Sequence, residues 1–197
     1  VDGSVQKGQV FAPMHWTDVY ASNARVNRLI PAHTDPLSGQ PESKHAVVSI
    51  QPWQAVWEGW CITRDTTWQP SCVYWVKVPL GNDVVLWWLA DTTPLSTEQY
   101  CTQADIRYQD PAQGIWRSAH LVDEQPHTVF FSAPKQDDRL PSPDWVKTLF
   151  NAPLSEHQRL SLLAGFAPSG QEQGATVCAC FQVGEKTIQR CIDQGST

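Results

Sequence analysis

The pattern of hydrophobic and polar positions near the N-terminus predicts two short strands with a short helix between them. The apolar run at residues 9–12 predicts a short buried strand, and residues 44–50 predict another. Between them the spacing of apolar residues predicts a short helix that ends at Pro31. Turn-forming residues fill positions 34–42 and exclude a helix or strand there.

From about residue 52 to 133, the pattern changes to tryptophan and β-branched residues separated by turn signals. Strands are predicted over residues 71–78, 84–90, 115–122 and 128–133. The Gly81-Asn82-Asp83 sequence predicts a hairpin turn between the first two, and Ser96 begins a capping box for a helix to about Ile106. This pattern indicates an α+β unit built on an antiparallel sheet. Trp75, Trp87, Trp88 and Trp116 are expected to form its core rather than a carbohydrate-binding surface.

After residue 134 the pattern becomes helical. Residues 135–141 are charged and bounded by prolines, which predicts a linker. Capping signals at Ser142 and Ser155 predict two helices, the second ending at Gly165. A flexible segment at residues 168–174 then precedes a cysteine-containing run and a last helix over residues 185–194.

Charge and composition narrow the class of protein. The formal net charge of -6, with Lys and Arg scattered along the chain, argues against nucleic acid as a partner. No apolar run approaches the roughly 20 residues that cross a bilayer, and the N-terminus does not resemble a secretion signal. A chain with 41% hydrophobic residues does not need disulfides, so its six cysteines are expected to be reduced in a cytoplasmic protein.

Cys178 and Cys180 are the strongest candidates for metal ligands. Separated by one residue, they are poorly placed for a mutual disulfide, but their thiolates can reach one metal centre. The helix predicted after Gly184 would direct N–H groups and a positive dipole end toward them. The alternative is a pair of small buried side chains at a strand edge. Cys191 lies beside Ile192 in the last helix and is predicted to pack in the core.

The cysteine run resembles a known iron-sulfur domain. The string Val177-Cys178-Ala179-Cys180-Phe181, followed by Val183-Gly184 and Thr187-Ile188, resembles the start of the bacterioferritin-associated-ferredoxin-like domain. In that family a CxC pair and a later CxxC pair bind one [2Fe-2S] cluster, which implies that Cys178 and Cys180 are ligands. The second pair is absent from this chain, so the sequence is expected to supply half of the ligand set.

Polar, turn-presented residues in the first 50 positions carry a second resemblance. By pattern alone such residues more commonly cap helices and close loops. However, Gly8-Gln9-Val10-Phe11, Pro13-Met14-His15-Trp16 and Asp35-Pro36-x-Ser38-Gly39-Gln40-Pro41-x-x-Lys44 resemble the end of the molybdopterin dinucleotide-binding domain of molybdenum oxidoreductases. The resemblance implies contacts to bis-molybdopterin guanine dinucleotide through amides, an aromatic ring and a phosphate-binding lysine. The implied contact residues are His15, Trp16, Asn23, Asn27 and Lys44.

The order of these segments resembles the catalytic subunit of bacterial assimilatory nitrate reductases. Matching connector strings are Trp116-Arg117-x-Ala119, Asp144-Trp145 and Arg159-x-x-x-Leu163-Ala164-Gly165. The resemblance implies a C-terminal fragment, inactive alone and without a catalytic residue, of a cytoplasmic molybdenum enzyme that reduces nitrate to nitrite. Its implied partners are the rest of the catalytic subunit, with a [4Fe-4S] cluster, and a flavoprotein reductase subunit, ferredoxin or flavodoxin as electron donor.

The predicted fold class is α+β, in four parts. Residues 1–50 are expected to end a molybdopterin dinucleotide-binding β-barrel, 51–134 to form the tryptophan-rich antiparallel connector, 135–173 a helical linker and 174–197 the truncated [2Fe-2S] segment. Three alternatives stay open at this point. They are a formate dehydrogenase or other molybdopterin oxidoreductase, a tryptophan-rich binding module without redox function, and a scaffolding protein made as a separate gene product.

Overall fold

A computed structural model of the chain describes residues 5–12, 17–42, 46–135, 140–167, 176–178 and 183–193. It divides into two compact units, Val1–Gln54 and Ala55–Thr197. The first unit consists largely of turns, with a 3₁₀ helix at Val26–Leu29 and an isolated antiparallel bridge between Thr34 and Pro41.

Two expectations for the first unit are wrong. The described parts of residues 9–12 and 44–50 contain no strand, and the predicted helix is reduced to the 3₁₀ helix. A strand needs a neighbour for its backbone hydrogen bonds, and the described part of this unit provides none for either segment. The predicted end of a β-barrel is therefore absent from the described residues.

The second unit contains an open six-stranded antiparallel sheet. In chain order the strands are β1 (Trp57–Thr63), β2 (Tyr74–Gly81), β3 (Val84–Asp91), β4 (Ile106–Asp110), β5 (Ile115–Val122) and β6 (Gln125–Pro134). Their spatial order is β2-β3-β1-β6-β5-β4, so β2 and β4 form the two edges and the sheet does not close into a barrel. The predicted antiparallel sheet is confirmed.

The hairpin turn between β2 and β3 forms as its sequence predicts. Gly81, Asn82 and Asp83 adopt φ angles of 86°, 49° and 57°. Glycine, asparagine and aspartate tolerate this left-handed region better than other residues, and such turns match the twist of paired strands. The turn at Asp123 and Glu124 does the same for β5 and β6, with φ angles of 49° and 66°.

Strands β1 and β4 were not predicted. Strand β1 pairs with both β3 and β6, and its last five residues are all buried. A strand buried on both faces lacks the alternation that identifies a strand in a sequence. The helix predicted from Ser96 to about Ile106 is too long. Helix α1 (Thr97–Tyr100) ends after one turn, and Ile106 instead begins β4, where it pairs with Ala119.

The core lies on both faces of the sheet. Trp60 and Phe131 stack on one face at 4.5 Å between ring centroids, where α2 (Asp144–Leu149) and α3 (Glu156–Ala164) contribute apolar residues. The opposite face buries Cys61, Trp75, Trp87, Phe130 and Tyr100. Trp88 and Trp116 are half-buried against these clusters, so the expected structural role of the four strand tryptophans is confirmed.

The two predicted helices after the sheet are present. Ser155 and Gln158 form the predicted capping box of α3, and Gly165 ends that helix at φ 73°. The tail contains a small hairpin of β7 (Thr176–Cys178) and β8 (Val183–Gly184), followed at once by α4 (Glu185–Asp193). Of the helices in the described ranges, none has the length and apolarity needed to cross a bilayer.

Candidate functional site

Asn23 and Asn27 are the two predicted cofactor contacts that fall among the described residues. Asn23 has a left-handed backbone with φ 51°, and Asn27 lies inside the 3₁₀ helix. Both side chains are exposed, and within the described ranges neither amide has a protein hydrogen-bond partner. They are therefore available to a ligand. His15, Trp16 and Lys44 lie outside the described residues.

The segment that carries both asparagines contains two ion pairs. The guanidinium groups of Arg25 and Arg28 lie 3.0 Å and 3.3 Å from Asp18 Oδ2. Both arginine side chains are more than half exposed, so these pairs contribute little to stability. Two guanidinium groups against one carboxylate leave a net positive charge on the segment that carries the amides. Amides that donate and accept hydrogen bonds, beside guanidinium groups, chemically suit the pterin or guanine edges and phosphates of a dinucleotide.

The polar string at residues 35–40 has a structural role of its own. Asp35 Oδ1 accepts hydrogen bonds from the backbone N–H of Leu37 and Ser38 and from the Ser38 hydroxyl, at 3.0, 2.7 and 3.0 Å. These bonds lower the pKa of the Asp35 carboxyl. Gly39 completes the turn at φ 69°, and its N–H bonds the Asp35 carbonyl at 2.8 Å. This aspartate therefore stabilises the turn rather than offering a free carboxylate.

Of the two cysteines predicted to bind a metal, Cys178 alone lies among the described residues. Cys178 ends β7, and its backbone pairs with Val183 of β8, which continues directly into α4. Cys180 lies outside the described residues. Among the described residues no group of three histidine, cysteine, aspartate or glutamate side chains is arranged to hold a metal ion.

The prediction that Cys191 packs in the core is wrong. Cys191 is exposed, and Ile192 on the same helix is 62% exposed. The apolar face of α4 is therefore not covered by other described residues. Cys61, Cys72 and Cys101 are free and buried, which agrees with the expectation of reduced cysteines for the four whose state is described.

A cavity of about 390 Å³ in the second unit was not predicted from the sequence. Its lining includes the aromatic rings of Trp68 and Tyr100 and the polar groups of Asp65, His120 and His127. Cys61 and Cys101 lie at its buried side. Burial raises the pKa of both thiols, so they are neutral and poorly nucleophilic at physiological pH.

The rings of His120 and His127 lie close together in an edge-to-face arrangement at this cavity. Their ring centroids are 5.5 Å apart with 63° between the ring planes. His120 Nδ1 lies 3.0 Å from Asp105 Oδ2, which also accepts the Leu121 N–H at 2.7 Å. His127 Nδ1 lies 3.2 Å from Thr128 Oγ1. Burial, followed by the charge of His120, lowers the pKa of His127 and favours its neutral form.

An irregularity in strand pairing produces this juxtaposition. His120 pairs with Thr128 and Leu121 pairs with Pro126, so His127 is an extra residue in β6. Such a bulge redirects a side chain that regular alternation would place on the other face. The two histidines are visible in the sequence on either side of the Asp123-Glu124 turn, but the bulge has no sequence signal. For that reason sequence reasoning missed the pair.

Comparison with known proteins relates the first unit to a cofactor-binding family. Residues 1–47 match the molydopterin dinucleotide binding domain. The chain is 29% identical over 197 residues to a nitrate reductase of Klebsiella oxytoca, a match that covers 95% of this chain and 22% of that protein. A nitrate reductase of Synechocystis sp. is 44% identical over 52 residues, which are 26% of this chain and 7% of that protein.

These similarities support a relationship to the molybdopterin oxidoreductases. The chain spans about a fifth of the length of the Klebsiella oxytoca protein. No solved structure gives a significant match to the chain.

Proposed function

We propose that this chain is the C-terminal part of a molybdopterin-dependent assimilatory nitrate reductase, where it contributes to cofactor binding and electron transfer. The observation that carries the proposal is the similarity to the Klebsiella oxytoca nitrate reductase along 95% of the chain. The match of residues 1–47 to the dinucleotide binding domain supports a role in binding the molybdopterin cofactor.

The first unit would bind the cofactor through its exposed polar groups. Asn23 and Asn27 offer amides without protein partners in the described ranges, and Arg25 and Arg28 add positive charge beside them. His15, Trp16 and Lys44 belong to the same proposed contact set. When bound, the molybdenum cofactor supplies oxygen-atom transfer, in which nitrate gains two electrons and two protons to give nitrite and water. In this reaction the first unit would bind and orient the cofactor.

The tail would bind part of an iron-sulfur centre. Cys178 ends a strand whose partner runs directly into the N-terminus of α4. A helix N-terminus stabilises the negative charge of thiolate ligands. A [2Fe-2S] cluster takes four ligands, so Cys178 and Cys180 would supply two of them. Electrons would reach this centre from a flavoprotein reductase subunit, ferredoxin or flavodoxin in the cytoplasm.

The cofactor proposal is tested on the complete gene product that contains these residues, purified from a host that makes molybdopterin guanine dinucleotide. Molybdenum content, released guanine nucleotide and nitrite formed with a reduced viologen dye are measured together. The double variant Asn23→Ala/Asn27→Ala should lower cofactor occupancy and activity in parallel. Asn151→Ala is the matched control, because Asn151 is an exposed asparagine of the second unit.

The outcomes distinguish the candidate functions. Nitrite formation with full occupancy in the double variant would remove the asparagines from the cofactor site without affecting the enzyme assignment. Oxidation of formate without reduction of nitrate would favour a formate dehydrogenase. Absence of molybdenum from the native protein would favour the tryptophan-rich binding module. Requirement of the gene for growth on nitrate as nitrogen source tests the assimilatory role.

The iron-sulfur proposal needs a separate measurement. The same gene product should show visible absorbance and, after reduction, an electron paramagnetic resonance signal typical of [2Fe-2S]. Cys178→Ser/Cys180→Ser should abolish that signal and leave molybdenum content unchanged. Cys191→Ser is the matched control, since Cys191 is exposed on the adjacent helix. Retention of the signal in the double serine variant would reject the assignment of Cys178 and Cys180.

A further inference from the structure

The cavity of the second unit lies outside the residues proposed to bind molybdopterin or an iron-sulfur cluster. It contains two imidazole rings whose Nδ1 atoms are both engaged, His120 by Asp105 and His127 by Thr128. In each ring the remaining nitrogen, Nε2, is therefore the atom available to a ligand. The described contacts give Nε2 of neither ring a protein partner.

The Asp105–His120 pair has the arrangement that surrounds metal-binding histidines in other proteins. A ligating histidine nearly always presents its second ring nitrogen to a carboxylate or carbonyl, which fixes the tautomer and makes the free nitrogen more basic. Here Asp105 Oδ2 bonds His120 Nδ1 at 3.0 Å and is itself fixed by the Leu121 N–H at 2.7 Å. The His120 ring is thus oriented before any ion binds.

The distance between the two ring centroids is the distance expected for two imidazoles that bind the same ion. Zinc–imidazole bonds are about 2.0–2.1 Å long, so two rings that bind one ion at angles between tetrahedral and trigonal have centroids about 5–5.5 Å apart. The observed separation of His120 and His127 is 5.5 Å. The bulge in β6 brings His127 to this position, and bulges are over-represented where a side chain is redirected at functional sites.

The surrounding charge also suits a cation. Asp105 contacts His120, and Asp65, which lines the same cavity, interacts electrostatically with His127. The nearby cation Arg64 is directed to backbone carbonyls, since its guanidinium donates to Pro126 O and Phe150 O. Imidazole nitrogen is a preferred ligand of zinc, nickel and copper, whereas magnesium and calcium prefer oxygen.

We propose that His120 and His127 form a two-histidine site for a borderline divalent transition metal ion such as Zn²⁺ or Ni²⁺. Because no third side chain completes a ligand group among the described residues, water or a small exogenous ligand in the cavity takes the remaining positions. The site uses none of the residues proposed to contact the cofactor, and its existence does not depend on the proposed nitrate reductase activity.

The test uses the full 197-residue chain carrying Cys178→Ser, Cys180→Ser and Cys191→Ser, so that tail thiols do not compete for metal. Zn²⁺ and Ni²⁺ chlorides are titrated by calorimetry, and long-range proton–nitrogen NMR spectra report which imidazole nitrogens respond to Zn²⁺. We expect one ion per chain and a Zn²⁺-dependent shift of Nε2 in both His120 and His127. A metal concentration 100-fold above Kd should lower the unfolding equilibrium constant by about 100-fold.

Three variants and one control make the proposal falsifiable. His120→Gln and His127→Gln should each weaken binding at least tenfold, whereas His157→Gln, on α3, should leave it unchanged. Asp105→Asn should weaken binding by about 10–100-fold through loss of ring positioning. Absence of saturable binding, or binding that both single histidine variants retain, would overturn the site. Circular dichroism of each variant confirms that a loss of binding is not a loss of fold.

Discussion

The two units of this chain use their apolar residues in opposite ways. Among the described residues of the first unit, Ala21 is the only buried apolar side chain, while Phe11, Leu37 and Val47 are 82%, 96% and 94% exposed. In the second unit many large apolar side chains are buried, with Trp60 and Phe130 at 0% exposure. Hydrophobic burial therefore stabilises the second unit far more than the described part of the first.

The contrast shows that family similarity and a self-contained core are separate properties. The first unit carries the match to the dinucleotide binding domain, yet its described segments bury little apolar surface. The second unit has an extensive core on both faces of its sheet. The proposed cofactor contacts of the first unit therefore rest on sequence similarity and exposed polar groups, and the histidine pair of the second unit is positioned by the pairing of β5 and β6.

The largest expected effect comes from a matched phenylalanine pair. Phe131→Ala removes a ring that is 1% exposed and stacked on Trp60, and it should lower the free energy of unfolding by about 3–5 kcal/mol. Phe11→Ala removes a ring that is 82% exposed and should change it by less than about 0.5 kcal/mol. Urea denaturation monitored by circular dichroism gives both values. Equal losses would contradict the contrast between the units.

A matched arginine pair should show a smaller difference. Arg117 Nη1 donates to the Leu163 and Ala164 carbonyls at 2.9 and 2.6 Å, at the end of α3. Arg117→Met leaves those carbonyls without their charged donor and should cost about 2 kcal/mol, with faster amide exchange in α3. Arg28→Met in the first unit breaks an exposed pair with Asp18 and should cost at most about 0.5 kcal/mol.

Arg117→Lys serves as the control for charge. Lysine keeps the positive charge but lacks the planar geometry that reaches two carbonyls, so partial recovery is expected. Unchanged exchange rates in α3 for Arg117→Met would show that this arginine does not hold the helix end.

Helix capping should produce an effect of about 1 kcal/mol. The Ser155 side chain accepts the Gln158 N–H, and Ser155→Ala removes this cap from α3. Ser38→Ala is the counterpart in the first unit, where the hydroxyl donates to Asp35 in an exposed turn that keeps two backbone donors. Its effect should be smaller than about 0.5 kcal/mol. Thermal unfolding compares the two, and a larger loss from Ser38→Ala would reverse the comparison.

Local signals predicted the parts of the fold that depend on neighbouring residues. The turn at Asn82-Asp83, the capping box at Ser155 and the end of α3 at Gly165 all formed as expected, because each is determined by the conformational preferences of a few residues. Strand β1 was not predicted because it lies at the centre of the sheet, where it pairs with β3 and β6. Those neighbours come together only in the folded sheet.

The candidate sites divide in the same way. Asn23 and Asn27 could be named because a family string surrounds them, whereas the histidine pair depends on the register of β5 and β6. Cys191 was wrongly predicted to be buried. The apolar side of a helix indicates which residues could be buried, but the sequence of that helix does not show whether another element covers them.

The smallest expected effect is a pH dependence confined to the second unit. Burial and the neighbouring His120 charge lower the pKa of His127 below its ordinary value of 6.5, although Asp65 opposes the shift. The folded chain then binds fewer protons than the unfolded chain, so the free energy of unfolding falls as pH drops through about 6.5 toward the folded-state pKa. Above that window the contribution vanishes. His127→Gln should flatten the decrease between about pH 7.5 and 5.5, measured by urea denaturation in metal-free buffer. The carboxyls of Asp65 and Asp105 have lowered pKa values and titrate well below this range, so they do not contribute to the slope. An unchanged slope in the variant would show that a group other than His127 titrates.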